Sequence, residues 1–353
     1  MEIARESIFV SSLRSFFRCF FSVFGILCSI IFVSILYSTL VGVKSYEEKT
    51  EFTILPDLEG NHQLLSIAAP AILQIKIQGV IGEPQGITSE TMKNILIDSR
   101  SGMLANNRVK GVLLHINSPG GAVFDSDDIY LMIKAYKEKY HVPVFAFVDG
   151  LCASGGMYIA SSADQIFATP SSVIGSVGVI MGPFFNVVQA MEKVGVESKT
   201  LTAGIDKDMM NPFRTWKAGE DESLKAVLTS MYNRFVQVVT ENRPKVDKTK
   251  LLNEYGAQVF DSPSAQLIGY IDHPDASYEL ALASLLQAAQ IPADHPYQLV
   301  ELKPKHDWAS LLFNTQSTLF TGKIEHHLNL SNQNSPKLSS PFAYLYDPES
   351  LHH

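Results

Sequence analysis

Residues 142–163 read Val-Pro-Val-Phe-Ala-Phe-Val-Asp-Gly-Leu-Cys-Ala-Ser-Gly-Gly-Met-Tyr-Ile-Ala-Ser-Ser-Ala. The apolar run predicts a buried strand over 142–148, the small residues at 152–156 predict a tight turn, and a short helix should follow through Ala163. Another strand is expected at 165–168. The same order occurs upstream, where a strand at 109–116 runs into Ser118-Pro119-Gly120-Gly121 and then a helical stretch at 124–139. Before both, Leu73, Ile75 and Ile77 alternate with Gln74, Lys76 and Gln78, which marks a half-buried strand. Strands alternating with helices in this way predict an α/β domain with largely parallel pairing.

Working outward, Leu224, Val227, Leu228, Met231, Phe235, Val238 and Val239 recur at helical steps and predict one amphipathic helix over 220–242, packed on the sheet or on a neighbouring subunit. Asp261 and Pro263 start a short helix that Gly269 stops, and a last helix is expected at 276–289. Residues 44–70 carry mixed charge without a sustained period and read as a linker. Residues 291–353 have no assigned role, and 330–336 resemble a tether.

Residues 19–43 hold 25 positions without a charge, enough at 1.5 Å per residue to cross a hydrocarbon layer of about 30 Å. A cleavable signal peptide would have a shorter apolar core and a small-x-small site, so the expectation is an uncleaved anchor that meets lipid through one helix. Arg5, Arg14 and Arg18 precede it and Lys44 and Lys49 follow, which leans towards a cytoplasmic N-terminus at 1–18 and a domain facing outward. Across 353 residues, 28 basic and 36 acidic side chains give a net charge of −8, so no concentrated basic face supports nucleic-acid binding. The three cysteines, Cys19, Cys28 and Cys152, form neither a disulfide framework nor a zinc pattern.

Ser154 lies between a strand and the first turn of a helix, where free amides and the positive helix end favour a tetrahedral anion. That makes it a candidate nucleophile, which needs a base. His115 and His141 are nearest in sequence but read as structural or surface residues. Cys152, two positions earlier, is a conceivable thiol nucleophile, and Asp125, Asp127 and Asp128 read as an acidic first turn rather than a cation site.

Residues 71–290 resemble the SppA-type signal peptide peptidases, serine proteases with a ClpP/crotonase-like fold of stacked, largely parallel β-sheets and flanking helices. The resemblance is carried by Ser-Pro-Gly-Gly at 118–121, Ala-Ser-Gly-Gly-Met-Tyr-Ile-Ala at 153–160, Ile-Gly-Ser-Val-Gly-Val at 174–179 and Phe-Asp-Ser-Pro-Ser-Ala-Gln-Leu-Ile-Gly-Tyr-Ile-Asp at 260–272. It implies Ser154 as nucleophile and, within Gly204-Ile205-Asp206-Lys207-Asp208, Lys207 as base, 53 positions later. It also implies that Ser176 holds the lysine amine and that backbone N–H groups of Gly155, Gly120 and Gly121 form the oxyanion hole. Met209 and Met210 depart from the family's pattern.

An ordinary lysine has a pKa near 10.4, so a lysine base needs desolvation or a nearby cation, and Asp206 and Asp208 should face away from it. No metal or cofactor is required. The resemblance further implies a single-pass protein of the inner membrane whose domain faces the extracytoplasmic side and degrades apolar peptides such as cleaved signal peptides. Short family members form rings in which serine and lysine come from adjacent subunits. Two other classes share the fold or the motifs: a crotonase-like acyl-thioester enzyme, and a catalytically silent membrane scaffold.

Overall fold

The structure is a computed structural model that describes residues 8–41, 48–292, 294–305 and 343–345. The first 47 residues form one compact unit and the chain from Glu48 another. In the first, helix α1 spans Ile8–Val41, and its segment Ser12–Ser34 is long and apolar enough to cross a membrane, with none of it buried in protein. The hydroxyls of Ser22 and Ser29 donate to Arg18 O and Gly25 O one turn back, which satisfies them within the helix. This segment starts earlier than the charge-free stretch 19–43, takes in Arg14 and Arg18, and ends at Ser34.

The second unit is built on one mixed sheet. In chain order its elements are β1 (Thr50–Leu55), β2 (Ala71–Ile81), α2 (Ser89–Asp98), β3 (Val109–Ala122), α3 (Val123–Tyr140), β4 (Val144–Ala153), α4 (Gly155–Ala160), β5 (Gln165–Ala168) and β6 (Val173–Gly175). There follow α5 (Val188–Val194), α6 (Glu222–Asn242), α7 (Lys248–Lys250), β7 (Val259–Asp261), α8 (Ser262–Ile268), α9 (Tyr278–Ala288), β8 (Gln298–Pro304) and β9 (Ala343–Leu345). The sheet order is β1-β8-β2-β3-β4-β6-β7, with β5 also on β4 and β9 on β3. Pairing is parallel from β8 through β2, β3 and β4 to β5 and β6, and antiparallel at β1, β7 and β9.

The central strands are apolar on both faces because helices cover both. On one face Ile75, Ile77, Leu114 and Ile116 share a core with Tyr130 of α3, Tyr158 of α4 and Phe235 of α6. On the other, Ile72, Leu113, Phe145, Phe147 and Phe167 pack with Leu282, Leu285 and Leu286 of α9. Helix starts follow local chemistry. The side chains of Thr88, Asp261 and Ser277 accept from Thr91 N, Ser264 N and Leu280 N at the entries to α2, α8 and α9, and Gly269 closes α8 with a left-handed φ of 98°.

The pattern reading assigned nothing to α2, β6, α5 and β7, and it differs from the structure at three further places. β1 lies inside the stretch 44–70 read as a linker, and β8 lies inside 291–353, where no element was assigned. Both owe their strand state to partners far away in sequence, Thr50 opposite Pro304 and Ala71 opposite Gln298. The Pro-Gly-Gly segment is not a free turn either. After a register shift, Gly120 and Gly121 continue the ladder opposite Val80 and Ile81 of β2.

Candidate active site

Ser154 is the single residue between the end of β4 and the start of α4, with φ 53° and ψ −117°. A non-glycine residue in that region costs on the order of 1–3 kcal/mol, so surrounding bonds must hold it. They do: Ser154 N donates to Gly175 O of β6 at 2.8 Å, and Tyr158 N of α4 donates to Ser154 O at 2.9 Å. The residue is 1% exposed, and its Oγ has no hydrogen-bond partner among the described residues. A buried hydroxyl left unpaired forfeits about 1–3 kcal/mol, a penalty that purely structural serines avoid. Ser118, Ser126, Ser161 and Ser162, all buried nearby in sequence, each donate to a backbone carbonyl.

The glycine side of the site is close-packed. A Cβ added at Gly155 would stand 2.5 Å from Ser126 Oγ and 3.2 Å from Gly121 N, which puts the Gly121 amide directly beside the residue after Ser154. At Gly121 a Cβ would lie 2.1 Å from Ile81 O, so only glycine lets β3 approach β2 there. The Gly120 N–H donates to Ser118 Oγ at 3.1 Å, while that hydroxyl donates to Gly79 O at 2.6 Å. Ser118 thereby ties the glycine pair to β2. Pattern reasoning passed over it, although it begins the quoted Ser-Pro-Gly-Gly motif. Tyr158 was passed over as well: its hydroxyl donates to Asp127 Oδ1 of α3, which also faces Arg234 of α6, and this anchors α4.

Ser176 follows β6, one residue beyond the end of its pairing with β4, and is buried with a left-handed φ of 54°; its N–H donates to Gln258 O. From there the chain enters an exposed arm over residues 179–219 that contains α5 and none of whose residues is buried. Lys207 is exposed on this arm and has no hydrogen-bond or ion-pair partner among the described residues. The structure therefore brings Ser154, Ser176 and the glycine amides to one end of the sheet and leaves Lys207 outside it. Asp208 does face away from Lys207. Its carboxylate accepts from Arg214 Nε at 2.7 Å, and Arg214 Nη2 also reaches Glu220 Oε2 at 2.6 Å. The guanidinium holds both carboxyls below the usual carboxylate range.

The rival groups are otherwise engaged. Burial pushes the Cys152 thiol up to about 12, so no thiolate forms near neutrality. His115 lies on the α9 face of the sheet, with Nε2 2.7 Å from Asp149 Oδ2 and its ring beside Phe147 and Tyr278. His141 is the exposed left-handed residue that ends α3. Asp125 accepts from Ser89 N at 2.7 Å, and Asp127 is held by Tyr158 and Arg234.

A strained serine on a strand-to-helix turn, beside glycine amides at a helix start, is the arrangement of a serine hydrolase. Comparison with known proteins narrows the class. The model for Peptidase family S49 matches residues 136–291. SppA of Enterococcus faecium is 30% identical over 275 residues, covering 74% of this chain and 78% of that protein. The chloroplastic serine protease SPPA of Arabidopsis thaliana is 26% identical over 264 residues, 74% of this chain and 37% of that one. Among solved structures, a ClpP1 variant of Listeria monocytogenes aligns with 58% of this chain and 92% of its own, at 18% identity and a TM-score of 0.39. The chain belongs to peptidase family S49, among its SppA-type signal peptide peptidases, and is a serine protease.

Proposed function

We propose that the protein is a membrane-anchored endopeptidase with a Ser154/Lys207 dyad assembled between adjacent subunits of a ring, acting on apolar peptides such as signal peptide remnants. The observation that carries this reading is a buried Ser154 Oγ without a partner in a chain whose Lys207 is exposed on a projecting arm. The arm's surface supports a subunit contact. Ile205 is 95% exposed and Leu201 86%, beside exposed Phe185, Val194 and Val196, an apolar stretch of the kind that marks an interface. α6 agrees with this: Phe235, Val236, Val238 and Val239 are buried, while Leu224, Val227, Leu228 and Met231 on its first half are not.

In this reading the neutral Lys207 amine of one subunit removes the Ser154 proton of the next as Oγ attacks the peptide carbonyl. Docking against the neighbour desolvates the amine, and the Ser176 hydroxyl positions it. The Gly155 and Gly121 N–H groups hold the tetrahedral anion, with Gly120 fixed by Ser118. Collapse expels the peptide amine, which takes the proton from the Lys207 ammonium. Water activated by Lys207 then hydrolyses the ester. α1 would hold the domain at the extracytoplasmic side of the inner membrane, N-terminus inward.

The test mixes inactive chains. Ser154→Ala and Lys207→Ala proteins, each inert towards an apolar reporter peptide, should regain up to about a quarter of wild-type turnover when co-assembled at equal ratio, because random neighbours then pair an intact serine with an intact lysine. No recovery would place both groups in one chain and reject the shared site.

A further inference from the structure

We propose that Arg234 and Asp127 are positioning residues of the reaction: through their ion pair, α6 holds Tyr158 of α4 and so sets the Ser154 turn for attack. The inference rests on the peptidase reading above and adds what keeps the nucleophile in place.

Tyr158 is bonded at both ends. Its backbone N–H donates to Ser154 O at 2.9 Å, the first bond of α4, and its hydroxyl donates to Asp127 Oδ1 at 2.5 Å. The residue between those bonds is fully buried, so it acts as a strut from the nucleophile's own carbonyl to α3. The same Asp127 oxygen lies 3.3 Å from Arg234 Nη2. A carboxylate acceptor strengthens the tyrosine bond, and the guanidinium gives that carboxylate a second point of attachment.

α6 grips the strut by packing as well as by charge. The Phe235 ring lies on the Tyr158 ring with centroids 4.9 Å apart, and Tyr130 of α3 meets the same ring edge-on at 5.5 Å. Tyr130 in turn accepts from Asn242 Nδ2 of α6 at 2.8 Å. Arg234 stands at the joint of the helix, where a partly exposed first half gives way to the buried run that begins at Phe235.

Two roles for the ion pair can be told apart. The side chains of Arg234 and Asp127 are 36% and 33% exposed, and a pair that open to water adds little to stability. The ring packing keeps the fold without it. What the pair adds is direction. Ser154 is held at φ 53° and ψ −117° against its own preference, so slack in α4 lets the turn relax and carries Oγ and the Gly155 amide off their places. A misplacement of about 1 Å can cost on the order of 10² in rate while leaving substrate binding intact.

Tyr158→Phe, Arg234→Met and the double variant test this on the full chain with an apolar reporter peptide. Each single variant should lower kcat about ten-fold with KM within about two-fold, and the double variant should be no worse than about ten-fold, because both act through one carboxylate. Melting temperatures should be preserved, and Arg234→Lys should keep most of the wild-type kcat. Amide hydrogen exchange in a peptide covering 154–160 should rise in Arg234→Met, a readout that needs no turnover. Unchanged kcat in both single variants, or a double variant down by the product of the two, would overturn the proposal. So would a loss of kcat that tracks a loss of melting temperature and is shared by Arg234→Lys, which makes the pair structural. If no form cleaves the reporter, wild type included, the peptidase reading fails and exchange decides alone: raised in Arg234→Met it keeps the strut, unchanged it rejects it.

Discussion

The turn at Ser154 and the arm around Lys207 are built on opposite principles. At the turn every neighbour is fixed. Backbone bonds from Gly175 and Tyr158 hold a strained residue, glycines pack to within what a methyl group would violate, and a Tyr158–Asp127–Arg234 chain locks the helix behind it. The arm instead carries exposed apolar side chains and has its own organising centre in Arg214 with Asp208 and Glu220. Under the proposed dyad, one chain completes the acyl-accepting half of a catalytic centre and offers the other half outward. In that proposal self-association is a condition of chemistry rather than an addition to it.

The sharpest way to break this contrast is to remove either half. Ser154→Ala and Lys207→Ala should each lower kcat by about 10⁴-fold or more in a peptide assay, with the melting temperature preserved. An active lysine variant would make the arm a mere contact surface. Gly155→Ala comes next. The added methyl meets Ser126 Oγ and the Gly121 amide, so kcat should fall by about 10²–10³-fold, as for loss of an oxyanion donor.

Arg214→Met probes the arm alone. Asp208 and Glu220 have lowered pKa values in the fold, so their contribution is present above the ordinary carboxylate value of about 4 and is lost as pH falls through the lowered values. Wild-type arms should resist limited proteolysis at pH 5 and lose that resistance only under stronger acid. The variant should be cut at both, with turnover down about ten-fold if the arm presents the base. The smallest effect is expected at Cys152: alanine there should leave kcat within about two-fold, and iodoacetamide at pH 8 should not label the native thiol.

The contrast also explains what could be read from sequence. β5 and the α6 helix were legible because their apolar periods are local, and the cap at Asp261 because its partner is three residues on. β1 and β8 were not, since short strands become strands only by pairing with residues about 250 positions away. The strand-to-helix setting of Ser154 was visible in its neighbours. Lys207 carried no such signal, because an exposed lysine among aspartates has neither period nor spacing to mark it, and only the family resemblance singled it out. Ser118 sat in plain view, but the bond that ties it to β2 goes to Gly79 O, a residue the linear motif does not contain.

The position of β8 also sets a timetable. It threads between β1 and β2, yet it is translated almost last among the strands, some 220 positions after β2. Until residue 304 has left the ribosome, β1 has no partner and β2 lacks a neighbour on one side. A nascent chain therefore carries an open sheet edge until β8 emerges, and the domain can close only after that late strand has been made.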